Sequence, residues 1–104
     1  MPLTVRLSDS SAGPGEQVRI AIHSTSAGNV RISCFFDEPP PGGFGPCAQC
    51  GVRLIATGHN ELLFRVSADE WRGRRGKVLF EVSNRDGDKQ QAAFGVDGLP
   101  LTMG

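Results

Sequence analysis

The sequence predicts an all-β protein, folded as an antiparallel β-sandwich of about seven strands. Apolar and polar residues alternate in short runs, which is typical of strands with one buried face. Glycine, proline, asparagine and aspartate separate these runs at fairly even intervals. No segment has the length and period of a helix, and the 104 residues fit a single domain, residues 1–104.

The predicted strands share period-two alternation and are bounded by breaker residues. Asp86-Gly87 lies between the last two runs and predicts a hairpin turn. The longest spacer, residues 37–50, combines proline, glycine and cysteine and is predicted to be a long loop. In chain order the strands are residues 4–8, 17–24, 29–36, 51–57, 61–66, 77–83 and 90–96.

One helical turn is predicted between the fifth and sixth strands. Ser67 and Glu70 have the spacing of a capping box, in which each side chain accepts a hydrogen bond from the other residue's backbone N–H. Val66 and Trp71 occupy the two positions of a hydrophobic staple. We therefore expect the single tryptophan to fold back over one end of the core.

Alternation assigns one side of each strand to the core. Fully burying a large apolar side chain contributes about 2 kcal/mol before the entropy cost of folding, so a set of this size is sufficient to fold such a chain. The positions predicted to face inward are Val5, Leu7, Val18, Ile20, Ile22, Val30, Ile32, Cys34, Val52, Leu54, Leu62, Phe64, Val66, Val78, Phe80, Val82, Phe94 and Val96.

Composition argues against several classes of function. Acidic and basic residues balance at 11 each, whereas nucleic-acid binders are normally strongly basic. No apolar run approaches the roughly 20 residues needed to cross a bilayer. The first ten residues do not resemble a secretion signal, so the sequence as written predicts a cytoplasmic protein. No catalytic constellation stands out, and we expect no enzymatic activity.

Two motifs resemble those of bacterial and phage immunoglobulin-like domains, including the polycystic-kidney-disease and "Big" types. The first is Pro14-Gly15-Glu16-Gln17-Val18, and the second runs from Gly76 to Asn84 and on into Asp86-Gly87. The resemblance implies an immunoglobulin-like sandwich. Free-standing modules of this kind resemble virion components of tailed phages, so it also implies a virion location and a capsid or other virion protein as partner.

Arginine recurs between two apolar residues in five of the predicted strands. In the constant-type arrangement, Arg6, Arg19, Arg65 and Arg53 would share the outer face of one sheet. Such a row would suit an acidic protein surface or a phosphate, because guanidinium groups bind oxyanions in pairs of hydrogen bonds. The alternative is that the arginine stems cover the sheet while their charged ends stay in water.

The second sheet has a different outer face. Phe35 and Leu79 are predicted to point outward on neighbouring strands, where they would form a small apolar docking patch. The alternative is that the loop 37–50 folds over this face and hides Phe35.

The sequence allows three chemical states for the three cysteines. Cys47 and Cys50 form a CxxC motif, and with Cys34 and His59 they could complete a tetrahedral zinc site. A disulfide from Cys34 to a loop cysteine is the second possibility, and free thiols with no functional role are the third. We expect no cofactor unless zinc binds here.

The sequence is most consistent with a non-enzymatic structural module that binds a protein partner, such as a phage capsid-decorating or capsid-stabilising protein. The first alternative is an adhesion or carbohydrate-binding domain of a larger extracellular protein. The second is a small zinc-stabilised binding protein. Self-association also fits the sequence, and membrane binding does not.

Overall fold

The computed structural model describes residues 3–36 and 50–98. Within them lie eight strands and one short helix, in the order β1 (Leu3–Leu7), β2 (Ser11–Ala12), β3 (Gln17–Ser24), β4 (Gly28–Phe36), β5 (Gly51–Ile55), β6 (Gly58–Arg65), α1 (Ala68–Trp71), β7 (Arg75–Asn84) and β8 (Lys89–Asp97).

The strands form two sheets that pack face to face. The smaller sheet has the order β1-β3-β6, and the larger has the order β2-β8-β7-β4-β5. Neighbouring strands are antiparallel, except that β2 runs parallel to β8. The prediction of an all-β, antiparallel sandwich is confirmed.

The chain crosses from one sheet to the other immediately after β1. Residues 8–10 carry it across, and β2 then pairs with Gly95 and Val96 of β8. The Gly95 amide also donates a hydrogen bond to the Ser10 carbonyl, at 3.0 Å. We predicted a spacer here, because a two-residue strand is too short to show any alternation.

The core fills the space between the sheets, and most residues predicted to face inward are buried in it. Phe64 of the smaller sheet meets Phe80 and Phe94 of the larger one, with ring centroids 6.0 and 5.7 Å apart. Both contacts are edge-to-face, a favourable geometry for aromatic rings. The β-branched residues Val18, Ile20, Ile22, Val30, Val66, Val78 and Val82 surround this cluster.

Helix α1 closes one end of the sandwich, as predicted. The Ser67 hydroxyl caps the helix by accepting a hydrogen bond from the Glu70 amide at 3.4 Å. Trp71 is 1% exposed, and its ring centroid lies 4.5 Å from that of Phe36. The tryptophan side chain therefore fills this end of the core.

The β7–β8 hairpin lies at the opposite end and is also confirmed. The Asn84 side-chain oxygen accepts hydrogen bonds from the Asp86 and Asp88 amides, at 3.1 and 3.0 Å. Its side-chain nitrogen donates to the buried Ser24 hydroxyl at 3.0 Å. This asparagine thus shapes the turn and joins the larger sheet to the smaller one.

The prediction for strand β5 is wrong in one respect: Val52 and Leu54 face outward. Arg53 lies opposite the buried Val30, and Ile55 lies opposite Gly28, so these two residues occupy the inner side. A register change of one residue exchanges the two faces of a strand. Arg53 is exposed although it lies on the inner side, whereas Ile55 on the same side is buried, so β5 is left uncovered at Arg53. Without that cover, turning two apolar residues inward would bury little.

Candidate protein interface

Three of the four predicted arginines share the outer face of the smaller sheet. Arg6 lies opposite Ala21, Arg19 opposite Leu63, and Arg65 opposite Gln17. Each arginine therefore lies directly opposite a neutral residue, and no two of the three arginines are directly opposite each other. Binding of an acidic surface or a phosphate by these arginines stays a prediction.

Arg53 does not belong to this face, which corrects the prediction. Its strand, β5, pairs with β4 in the larger sheet, whereas the prediction placed it with β1, β3 and β6. Only Ala56 and Thr57 connect β5 to β6, so the chain changes sheet within two residues. Asn60 holds this connection, because its side chain donates to the Ala56 carbonyl at 2.8 Å and accepts from the Ala56 amide at 3.0 Å.

Two of the four exposed large apolar side chains of the described residues lie on β5, and Leu54 is the most exposed of the four. Val52 is 58% exposed and Leu54 is 86% exposed, and both project from the outer face of the larger sheet. Arg53 projects from the other side of the same strand. We refer to Val52, Arg53 and Leu54 together as the β5 edge, since β5 is the last strand of its sheet.

Sequence reasoning missed the β5 edge because alternation does not say which parity faces inward. The terminal position of the strand also depends on pairings distant in the sequence. Leu63 on β6, 60% exposed, was missed as well. The sequence did contain a sign of this exposure, because Leu62 and Leu63 are adjacent in a strand and only one of them can face the core.

The predicted Phe35–Leu79 pair lies on the outer face of the larger sheet. Leu79 pairs with Ser33, and Phe35 pairs with Lys77, so the two apolar side chains are diagonal neighbours. Phe35 remains 48% exposed, and the Lys77 ammonium lies 5.7 Å from its ring centroid. The alternative of a covering loop concerns residues 37–49, which lie outside the described residues, so the docking patch stays a prediction.

A polar groove of about 570 Å³ lies on the same outer face, beside the β5 edge. Arg31 lies between Val52 of β5 and Glu81 of β7, which are its neighbours on the two sides. The apolar edge is therefore continuous with a polar surface. The groove is lined by Asn29, Arg31, Glu81, Val82, Ser83, Lys89, Gln90 and Gln91.

Two of the predicted zinc ligands lie together and one lies apart. The Sγ atoms of Cys34 and Cys50 are 2.9 Å apart. His59 lies on the other sheet, opposite His23 and near the Asn84 turn. Cys34 is six residues along β4 from that end, which corresponds to about 20 Å.

The four-residue zinc site therefore does not fit this geometry. His59 is remote from the cysteines, and Cys47 lies outside the described residues. No group of three His, Cys, Asp or Glu residues within 3–36 and 50–98 is placed to hold a metal ion. Zinc binding by other ligands stays a prediction, which elemental analysis of the purified protein would test.

The cysteines also differ in chemical state. Cys50 is disulfide-bonded, whereas Cys34 has a free thiol, so the predicted disulfide from Cys34 to a loop cysteine is not formed. Burial raises the pKa of Cys34 to about 12, and the nearby negative charge of Glu70 adds to the effect. A thiol with this pKa is protonated and unreactive at neutral pH.

Comparisons with known proteins identify the fold. No protein-family model and no curated protein matches the chain. A conjugative transposon lipoprotein from Bacteroides eggerthii is similar in structure, with a TM-score of 0.57 and 15% identity over 92% of this chain and 97% of that one. PapD-like domain 7 of human CEP192 has a TM-score of 0.52 and 13% identity, over 96% and 85%. The fold is an immunoglobulin-like β-sandwich.

This immunoglobulin-like sandwich carries no transmembrane helix in the part of the chain that the structure describes. At such low sequence identity, the likeness to the two solved structures establishes the fold alone. Function has to be argued from the surfaces described above.

Proposed function

We propose that this immunoglobulin-like sandwich is a non-enzymatic protein-interaction module that docks through the β5 edge. The observation that carries the proposal is the exposure of Val52 and Leu54, 58% and 86%, side by side on a terminal strand. Natural proteins usually protect terminal strands with charges, prolines, bulges or covering segments. Exposed apolar side chains on such a strand are typical of a surface that a partner covers.

The neighbouring surface supports the same proposal. The polar groove, with Arg31 and Glu81, continues from the β5 edge across the outer face of the larger sheet. Protein interfaces commonly combine an apolar centre with a polar rim, and here both lie on one face. Among the described residues, the outer face of the smaller sheet has one exposed large apolar side chain, Leu63, whereas β5 has two.

The proposed setting of this module is the surface of a phage virion. Its support is the resemblance of the Pro14–Val18 and Gly76–Asn84 motifs to phage immunoglobulin-like domains. Copurification of the protein with assembled particles from its native host is the expected result. A protein that stays monomeric and never sediments with particles would exclude this setting, while leaving the docking proposal intact.

Site-specific photo-crosslinking in the native host tests the docking surface. We expect a discrete protein adduct when Leu54 is replaced by benzoylphenylalanine, and none when the same residue replaces Arg6 on the opposite sheet. Both positions are exposed, so the second is a matched control. An adduct at position 6 alone would move the interface to the arginine face, and adducts at neither position would contradict the proposal.

A further inference from the structure

We propose that the β5 edge binds an extended segment of another protein, in which apolar and acidic residues alternate, as an additional strand of the larger sheet. This inference rests on the proposed function and specifies the chemistry of the partner. Three features carry it: the backbone of β5, the apolar side chains on its outer face, and the charge on its inner face.

Among the described residues, no strand pairs with the second edge of the β5 backbone. Within the described residues, β5 pairs only with β4, and its first four residues are exposed. None of its five residues is proline, so every backbone amide is present. An extended segment can therefore continue the sheet, and its main-chain hydrogen bonds would supply affinity without requiring a deep pocket.

The outer face of β5 selects apolar side chains. A strand added beside β5 projects alternate side chains to the same two faces as β5 itself. Its outward residues would lie next to Val52 and Leu54, and apolar residues there would remove both from water. Polar residues at those positions would leave Val52 and Leu54 without apolar contacts.

The inner face of β5 selects an acidic side chain. Arg53 projects to the inner side, where its neighbour on β4 is the apolar Val30. Arg53 is exposed, and no acidic residue of the described part of the chain forms an ion pair with it. A glutamate or aspartate on the added strand would meet this guanidinium directly, and opposite charges across a strand pair are favourable.

The same charge argues against a second copy as the occupant. Antiparallel self-pairing that overlaps the whole of β5 would bring Val52 against Leu54, which is favourable. It would also bring Arg53 against Arg53, and like charges directly opposite each other are destabilising. The charge of the β5 edge therefore favours an acidic partner over another molecule of this chain.

A titration of the ¹⁵N-labelled protein with two blocked nine-residue peptides tests the inference. One peptide alternates valine and glutamate, and the other alternates valine and lysine. We expect the glutamate peptide to shift the amide signals of β5 and to bind at least tenfold more tightly than the lysine peptide. The variant Arg53→Glu should reverse this preference, and Arg53→Gln should abolish it.

Matched variants separate the β5 edge from other exposed apolar residues. Leu54→Lys should weaken binding of the glutamate peptide at least tenfold, whereas Leu63→Lys on β6 should leave it unchanged. A glutamate peptide with alternate backbone amides methylated cannot pair as a strand, so it should not bind. The dispersion of the amide spectrum shows in each case that the variant is folded.

Each contrary outcome has a definite meaning. Equal affinity for both peptides, or no change with Arg53→Glu, would overturn the acidic partner. Undiminished binding of the methylated peptide would overturn strand addition. Dimerisation that Leu54→Lys abolishes would replace the proposed occupant with a second copy. Absence of peptide binding despite a crosslinked adduct at position 54 would overturn this inference alone and leave the proposed function standing.

Discussion

Trp71 shows how one side chain can close a sandwich. It is 1% exposed, its ring contacts Phe36, and the Arg74 guanidinium lies 5.2 Å from the Phe36 ring centroid. Gly98 approaches so closely that an added Cβ would lie 1.8 Å from the Trp71 carbonyl oxygen. The sequence predicted this role from the capping residues, because helix capping and the staple are local in the chain.

We predict that Trp71→Ala lowers the free energy of unfolding by about 3–5 kcal/mol, because it leaves a large cavity at the end of the core. Chemical denaturation followed by circular dichroism measures the loss. Arg72→Ala is the matched control, since it removes only an exposed ion pair with Asp69 and should change stability by less than about 1 kcal/mol. A loss below 1 kcal/mol for Trp71→Ala would show that the tryptophan is not buried.

We predict that alkylation of Cys34 at pH 8 is about 1,000-fold slower in the folded protein than in the unfolded chain. The thiolate is the reactive species, and the pKa of this thiol rises from 9.0 to about 12 on folding. Site-resolved mass spectrometry after timed iodoacetamide treatment measures the ratio. Equal rates in the two states would contradict the burial of this thiol.

The raised pKa of Cys34 makes the stability of the folded protein depend on pH. The folded pKa of Cys34 is raised, so its contribution to stability is fully present below pH 9 and is lost as the pH rises toward 12. Cys34→Ala removes the group and should flatten the stability profile between these pH values.

At the scale of the elements, the positions of two strands underlie the proposed docking surface. β5 and β6 are consecutive in the chain, yet each is the terminal strand of a different sheet. The alternation of β5 was visible in the sequence, but which of its faces is covered depends on strands far away in the chain. Core strands such as β3 and β7 were predicted correctly, because the opposite sheet covers the apolar side of each strand.

We predict that Gly76→Ala destabilises the protein by about 2 kcal/mol or more. An added Cβ at position 76 would lie 1.9 Å from the Phe35 carbonyl oxygen, so the β4–β7 pair would have to separate. Gly95→Ala on the adjacent strand β8 is the control, because the nearest atom to its added Cβ is 4.0 Å away. Equal effects of the two substitutions on thermal unfolding would show that β4 and β7 are not packed this closely.

At the scale of the whole molecule, the unequal sheets expose the surface that we propose for docking. Three strands face five, so the first four residues of β5 extend past the cover of the smaller sheet, whereas Ile55 is buried. The sandwich was predictable because alternation recurs in every long strand. The exposure of β5 was not predictable, because it arises from a difference in sheet size that no local pattern encodes.

The unfolding free energy of Leu54→Lys tests the exposure of the β5 edge most directly. Leu54 is 86% exposed, so we predict a change within about 0.5 kcal/mol of the unmodified protein. Its neighbour Ile55 is 4% exposed, and Ile55→Ala should cost about 2–4 kcal/mol in the same denaturation experiment. A loss of several kcal/mol for Leu54→Lys would place Leu54 in the core and contradict the docking surface.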